Sequence, residues 1–221
     1  LLFFIIRQLT ENDHIAFATC LLTLLNYHIL SYSIIMMSEI PFLFFSLLCL
    51  WLFFKLNFSK PVYKNWLFFL LIVFLSFSFY IRSVALALFA SFAAFLFLKK
   101  HWKYLVASIG GFALLYLPWI IRGKSSSGNT YVSQLSLKNP YQPELGTVGL
   151  SDIFERIFIN LERYITAELP SGMISIVEID YANFSATFSD WLLGIVLLVL
   201  IASGLYKLSK FRVFIILYVL A

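Results

Sequence analysis

Four ionisable side chains stand where they could do chemistry: Glu39, Arg82, Arg122 and His28. Charge at membrane depth is costly and asks for a reason. Glu39 lies in Ser38-Glu39-Ile40-Pro41, at the head of an apolar run. A carboxylate there could act as a base, a metal ligand or an acceptor for a sugar hydroxyl. The plainer alternative is a helix-start charge, favourable by about 0.3–1 kcal/mol. Ser38 is placed to cap that helix and Pro41 fits its first turn. Arg82 interrupts an apolar stretch from Trp66 to Leu98. Its guanidinium suits bidentate binding of a phosphate or pyrophosphate, or else snorkels to a lipid phosphate or pairs with a neighbouring carboxylate. Arg122, after Leu117-Pro118-Trp119-Ile120-Ile121, admits the same two readings. His28 sits with Asn26 and Tyr27 inside an apolar run. A hydrogen bond to a neighbour is its ordinary role, and substrate contact the alternative.

The sequence holds no Walker loop, no dinucleotide glycine fingerprint, no nucleophile elbow and no metal-spaced His or Cys cluster. Cys20 and Cys49 each lie in an apolar run and read as small buried hydrophobes. No cofactor is marked, and whether a divalent metal serves the site stays open.

These residues need elements to hold them, and composition says what surrounds those elements. The chain is 62% hydrophobic and 12% charged, with a mean hydropathy of +0.92. Soluble domains carry about 25% charged residues. With 25 Phe in 221 residues, one water-soluble core could not bury the apolar surface, so the solvent is lipid. The net charge of +5 sits in short clusters between apolar runs, a pattern of membrane topology rather than of nucleic-acid binding.

The expected fold is all-α, a polytopic transmembrane helix bundle with a partly helical extracytoplasmic loop. A span needs roughly 20 apolar residues. Residues 1–6 read as the tail of one span, Ile15 to Met36 as a second, and Ile40 to Lys55 as a third. The stretch from Trp66 to Leu98 would be about 50 Å long as one helix. Folded as a hairpin turning at Arg82, it puts the Lys55–Lys64 loop and the Lys99–Lys103 cluster on one side, as the positive-inside rule prefers. Tyr104 to Ile121 crosses again. Residues 1–121 thus hold about five full or partial spans, 122–190 the extracytoplasmic loop, and 191–221 further spans. The chain starts without Met and stops in an apolar run, so both ends read as cut. Ten of the sixteen basic residues fall on the assigned cytoplasmic side, against five basic and eight acidic residues in the outer loop. Within that loop, residues 151–169 predict an amphipathic helix capped by Ser151, with Ile153, Ile157, Leu161, Tyr164 and Ile165 on one stripe. Such a helix lies along the bilayer surface or packs on the rest of the loop.

From Ser38-Glu39-Ile40-Pro41 onward the chain resembles the GT-C superfamily of membrane glycosyltransferases, in the branch of protein O-mannosyltransferases, aminoarabinose transferases and Rgt-type enzymes. Tyr80-Ile81-Arg82-Ser83, a Lys-rich turn and Leu117-Pro118-Trp119-Ile120-Ile121-Arg122 follow in the same order. Ser83 stands where members commonly have Pro, and the likeness covers roughly Leu1 to Arg122. The resemblance implies inverting transfer of a sugar from a polyprenyl-phosphate donor to a glycan, lipid or protein acceptor, on the outer face of a bacterial inner membrane. It places the main catalytic acid in an earlier outer loop, upstream of Leu1, leaving Glu39 and Arg82 as supporting residues of the donor site. The rivals are an O-antigen polymerase or ligase, a polytopic transporter or flippase, and a non-catalytic scaffold.

Overall fold

The computed structural model of the chain describes residues 1–35, 37–124, 137, 138, 144, 146–174, 185–208 and 212–220. Among them the fold is all-α, with one isolated bridge between Leu137 and Thr147 and no strand. The helices are α1 (Leu2–Thr10), α2 (Asp13–Leu24), α3 (Tyr27–Ile34), α4 (Glu39–Lys55), α5 (Trp66–Ile81), α6 (Ala85–Leu98), α7 (Trp102–Lys124), α8 (Leu150–Arg163), α9 (Leu169–Met173), α10 (Phe188–Lys207) and α11 (Arg212–Leu220). They fall into two compact units, Leu1–Leu117 with Ser203–Ala221, and Pro118–Ala202.

In the first unit the apolar stretch 66–98 forms two helices, α5 and α6, joined through Arg82–Val84. Late α4, late α6 and α11 meet around Phe53. Its ring lies 5.3 Å from Phe92, 5.1 Å from Phe95 and 4.3 Å from Phe214. Such ring pairs add about 0.5–1.5 kcal/mol each beyond simple burial. Several hydroxyls inside the apolar helices are satisfied locally, though the buried Ser46 hydroxyl of α4 has no partner. Ser76 and Ser78 donate to the carbonyls of Ile72 and Phe74, and Ser91 donates to Ala87 and across to Leu217 at 3.2 Å. This back-bonding lets a serine sit in a nonpolar helix without an unpaired donor. Much apolar surface faces outward: Leu22 is 71% exposed, Ile34 82%, and Leu114 67%.

The run from Ile15 to Met36, expected as one span, is instead two helices bent by 55° (Met36 itself lies outside the described residues). Asn26 is the cause. Its side-chain oxygen accepts from the backbone N–H groups of His28 and Ile29 at 3.0 and 3.3 Å, capping α3 and ending α2. A capped start competes with continuing the helix. Among the described residues, α10 alone is long and apolar enough to cross a membrane, and α2 with α3 makes a second if the bent pair counts as one span. The 16 residues of α5 and the 14 of α6 are shorter.

In the second unit α8 starts one residue before the expected helix. Gly149 holds the cap position, and Ser151 lies inside the first turn. The Asp152 carboxylate accepts from the Gly149 N–H at 2.8 Å, so the side chain two positions into the turn from Leu150 does the capping. The helix does not run evenly to Leu169. It loosens into a π-turn at Tyr164–Glu168 and resumes as α9. The expected stripe is exposed, with Ile157 at 55%, Phe158 at 69% and Leu161 at 51%. Arg156 donates to the carbonyls of Leu137 and Lys138 from the other face. Gly194 of α10 lies so close to the Ile165 carbonyl that a Cβ would collide with it. Thr187 and Asp190 cap α10 reciprocally, the Asp190 carboxylate accepting from the Thr187 N–H at 2.9 Å. That starts the helix at Phe188, three residues before the span expected from Trp191.

Candidate functional site

Glu39 is the first residue of α4, and Ser38 occupies the cap position without a side-chain capping bond. The helix start is therefore not secured by Ser38 as the spacing suggested. Arg82 ends α5 in an extended conformation, its N–H on the Ser78 carbonyl at 3.0 Å. From there its Nη1 donates to Glu39 Oε1, forming an ion pair between residues 43 apart in sequence. The side chains keep 36% (Arg82) and 29% (Glu39) of their exposure. Glu39 Oε2 is shielded from solvent and has no hydrogen-bond partner. A buried, unpaired carboxylate oxygen is unusual and calls for a donor. Geometrically the pair offers one carboxylate oxygen held by a guanidinium and a second, unpartnered oxygen that a hydroxyl reaches only when the side chains covering it move.

Tyr80 belongs to the same end of the bundle, and the sequence marked it only as part of Tyr80-Ile81-Arg82-Ser83, not as a site residue. Its hydroxyl donates to the Leu115 carbonyl, tying the end of α5 to α7. Pro118 lies inside α7, and a helical proline removes a donor and opens the carbonyls of the preceding turn. A tyrosine two residues before Arg82 and a proline three after Leu115 were the available signals.

Of the other candidates, His28 sits in the first turn of α3, its ring stacked on Tyr32 at 6.3 Å. The Arg122 side chain lies outside the described residues; its backbone falls in the last turn of α7, which runs to Lys124. Among the described residues no three of His, Cys, Asp and Glu come together to hold a metal ion, so at this site Glu39 offers a divalent cation a single carboxylate. An open cleft of about 650 Å³ lies between α1 and α2 against Arg7, Glu11, Asp13 and His14. It is filled on one side by the Arg7–Asp13 ion pair at 2.7 Å and does not include Glu39 or Arg82.

The opposite end of the bundle is basic. The loop after α4 and the turn before α7 are joined there. Asn65 Nδ2 donates to the Tyr104 hydroxyl at 2.9 Å and to the Asn57 carbonyl at 3.1 Å. Tyr104 donates to the Lys60 carbonyl at 2.8 Å, and Phe58 stacks on His101 at 4.6 Å. Gln8 Nε2 bonds the Phe54 carbonyl at 2.9 Å, bringing the end of α1 alongside. The lysines of both clusters thus share one end, and the Glu39–Arg82 pair marks the other. No family model, curated protein or solved structure matches the chain, and the reading of the site stands on its own residues.

Proposed function

We propose that the chain is the membrane-embedded part of a multi-pass glycosyltransferase that takes its sugar from a polyprenyl-phosphate carrier. The Glu39–Arg82 pair, with Glu39 Oε2 buried and unpartnered, is the observation that carries this reading. In it, Arg82 faces the donor phosphate, and a shift of the side chains that cover Glu39 Oε2 brings that oxygen to a sugar hydroxyl. The resemblance noted above implies the same assignment and, with it, a bacterial inner membrane.

Physical chemistry supports the membrane part. The outward apolar side chains of α2, α3, α5 and α7 need a nonpolar surrounding, since soluble monomers rarely expose large contiguous apolar patches. At 1.5 Å per residue, α5 and α6 are about 24 and 21 Å long, against a hydrocarbon core of about 30 Å. Arms this short either thin the bilayer locally or leave the Arg82 turn below the headgroups. A charge at that depth survives by pairing, as Arg82 does with Glu39. A lipid-linked phosphate arriving from the bilayer meets a guanidinium at its own level.

The test uses membranes bearing the whole protein and a radiolabelled polyprenyl-phosphate sugar. Glu39→Gln and Arg82→Ala are each expected to lower transfer by at least about tenfold, an electrostatic contact of about 1.4 kcal/mol, at unchanged expression. Unchanged turnover in both variants would sink the assigned roles. One observation favours a second reading, a transporter or flippase: the capped break at Asn26 resembles the interrupted helices that carry substrate sites near the bilayer midplane. Substrate protection of labels at Asn26 rather than at Arg82 would decide for it.

A further inference from the structure

Among the described residues none of the six lysines at the bundle's basic end is paired with a carboxylate. No Asp or Glu occurs between Glu39 and Glu144, and Glu39 is taken by Arg82 at the other end. Lys55 folds back over the Trp51 ring at 3.8 Å, while Lys60, Lys64, Lys99, Lys100 and Lys103 are exposed. Their backbones are held together by the buried Asn65 and Tyr104, each only 4% exposed, through the bonds to Asn57 and Lys60. The platform is therefore built, not a chance spray of flexible side chains.

Lys100 adds an independent sign. It closes α6 in the left-handed region at φ 60°, with its N–H on the Phe97 carbonyl and the His101 N–H on the Leu96 carbonyl. This helix-ending geometry favours glycine, because a side chain there is strained. A lysine in this conformation costs stability that a glycine would not. Around the rim, Tyr63, Trp66 and Trp102 are 75%, 66% and 51% exposed, and aromatic rings of this kind settle at the headgroup level.

We propose that this end of the bundle is a binding surface for the headgroups of anionic phospholipids. The chemistry needed is a row of phosphate esters at the level of an aromatic rim, with negative charge in excess of their own counterions. A bilayer leaflet rich in anionic lipid supplies it, and clustered lysines just outside a membrane are attracted to such a surface, each by about fivefold in affinity. Positive residues left behind by insertion topology alone would need no bound lipid. The proposal rests on the membrane reading above and not on sugar transfer.

The experiment reconstitutes the whole protein in bilayer discs of equal phosphatidylglycerol and phosphatidylcholine with matched chains. The lipids that stay bound on release are then counted by native mass spectrometry. Phosphatidylglycerol is expected to be enriched by about tenfold or more, and the enrichment to fall in about 1 M salt, where charges are screened beyond about 3 Å. Replacing Lys60, Lys64, Lys99 and Lys103 by Gln should abolish it. Replacing the same four by Arg should preserve it and also show that the bundle folds without lysine there. Lys100→Gly should weaken the enrichment while raising the unfolding temperature. Inorganic phosphate in excess should not compete, since it brings no bilayer. Equal retention of the two lipids by the native protein, or an enrichment that survives in the Gln variant, overturns the proposal. A protein that never enters the discs retains neither lipid, which overturns the membrane reading itself.

Discussion

Removing both partners of the Glu39–Arg82 pair should cost less than the sum of removing each alone. Two unit charges about 4 Å apart attract by about 4 kcal/mol at an effective dielectric near 20. The pair keeps about a third of its exposure, 36% for Arg82 and 29% for Glu39. Solvent screening and the ordering of two side chains reduce the attraction to a net coupling of about 1–2 kcal/mol. The assay is a double-mutant cycle with Glu39→Ala, Arg82→Ala and the double variant. Reversible unfolding is followed in mild detergent on the purified protein. Arg82→Ala leaves a carboxylate with two unpaired oxygens, one already buried, and is expected to be the worse of the two single changes. The double variant should be destabilised by about 1–2 kcal/mol less than the sum of the singles. Strict additivity, within about 0.5 kcal/mol, would refute the claim that the two charges hold each other in place.

Three further outcomes follow from other parts of the chain. A side chain at Gly194 meets the Ile165 carbonyl, so Gly194→Ala should force the segment off α10 at a cost of about 1–3 kcal/mol; limited proteolysis of residues 150–173 should then speed up, and an unchanged digest would contradict it. The Gly149 N–H, helped by the Lys138 ammonium at 3.1 Å, holds the Asp152 carboxyl below the usual carboxylate range. A depressed carboxyl stabilises its site above the unfolded value of about 3.9 and loses that contribution as pH falls through the folded value; opening of the start of α8, read by amide exchange against the intrinsic rate, should increase as pH falls below about 3.9, and Asp152→Asn should remove that pH dependence. Asn26→Ala deletes the cap of α3 at about 1 kcal/mol, and spin labels at Thr19 and Ser33 should move apart as the 55° bend relaxes; an unchanged distance would show that packing, not the cap, makes the bend.

The all-α fold and the position of the break at Arg82 were legible because they follow from composition and from a single charge in 33 apolar residues. What the sequence did not disclose was local competition among polar side chains. Asn26 was visible inside an apolar run, yet whether it bonds sideways or caps a new helix depends on backbone geometry that periodicity does not carry. Ser151 looked the better cap by type, but Asp152 reaches back to Gly149 and moves the start. For the site, Glu39 and Arg82 were marked separately by the cost of charge at depth. Their pairing across 43 residues is a matter of packing, as is the part played by Tyr80. The two lysine loops were read only as markers of sidedness, and the Asn65–Tyr104 bond that joins them gave no signal.

The most direct test of the account is to ask where a lipid-linked donor sits. A polyprenyl-phosphate sugar analogue with a photoreactive group beside its phosphate would be crosslinked to the whole protein in vesicles, and the adducts mapped by peptide mass. The account predicts adducts within residues 37–42 and 78–86, displaced by excess natural donor and lost in Arg82→Ala. Adducts confined to the Asn26 break, or labelling that the natural donor does not displace, would contradict a donor site at the Glu39–Arg82 end.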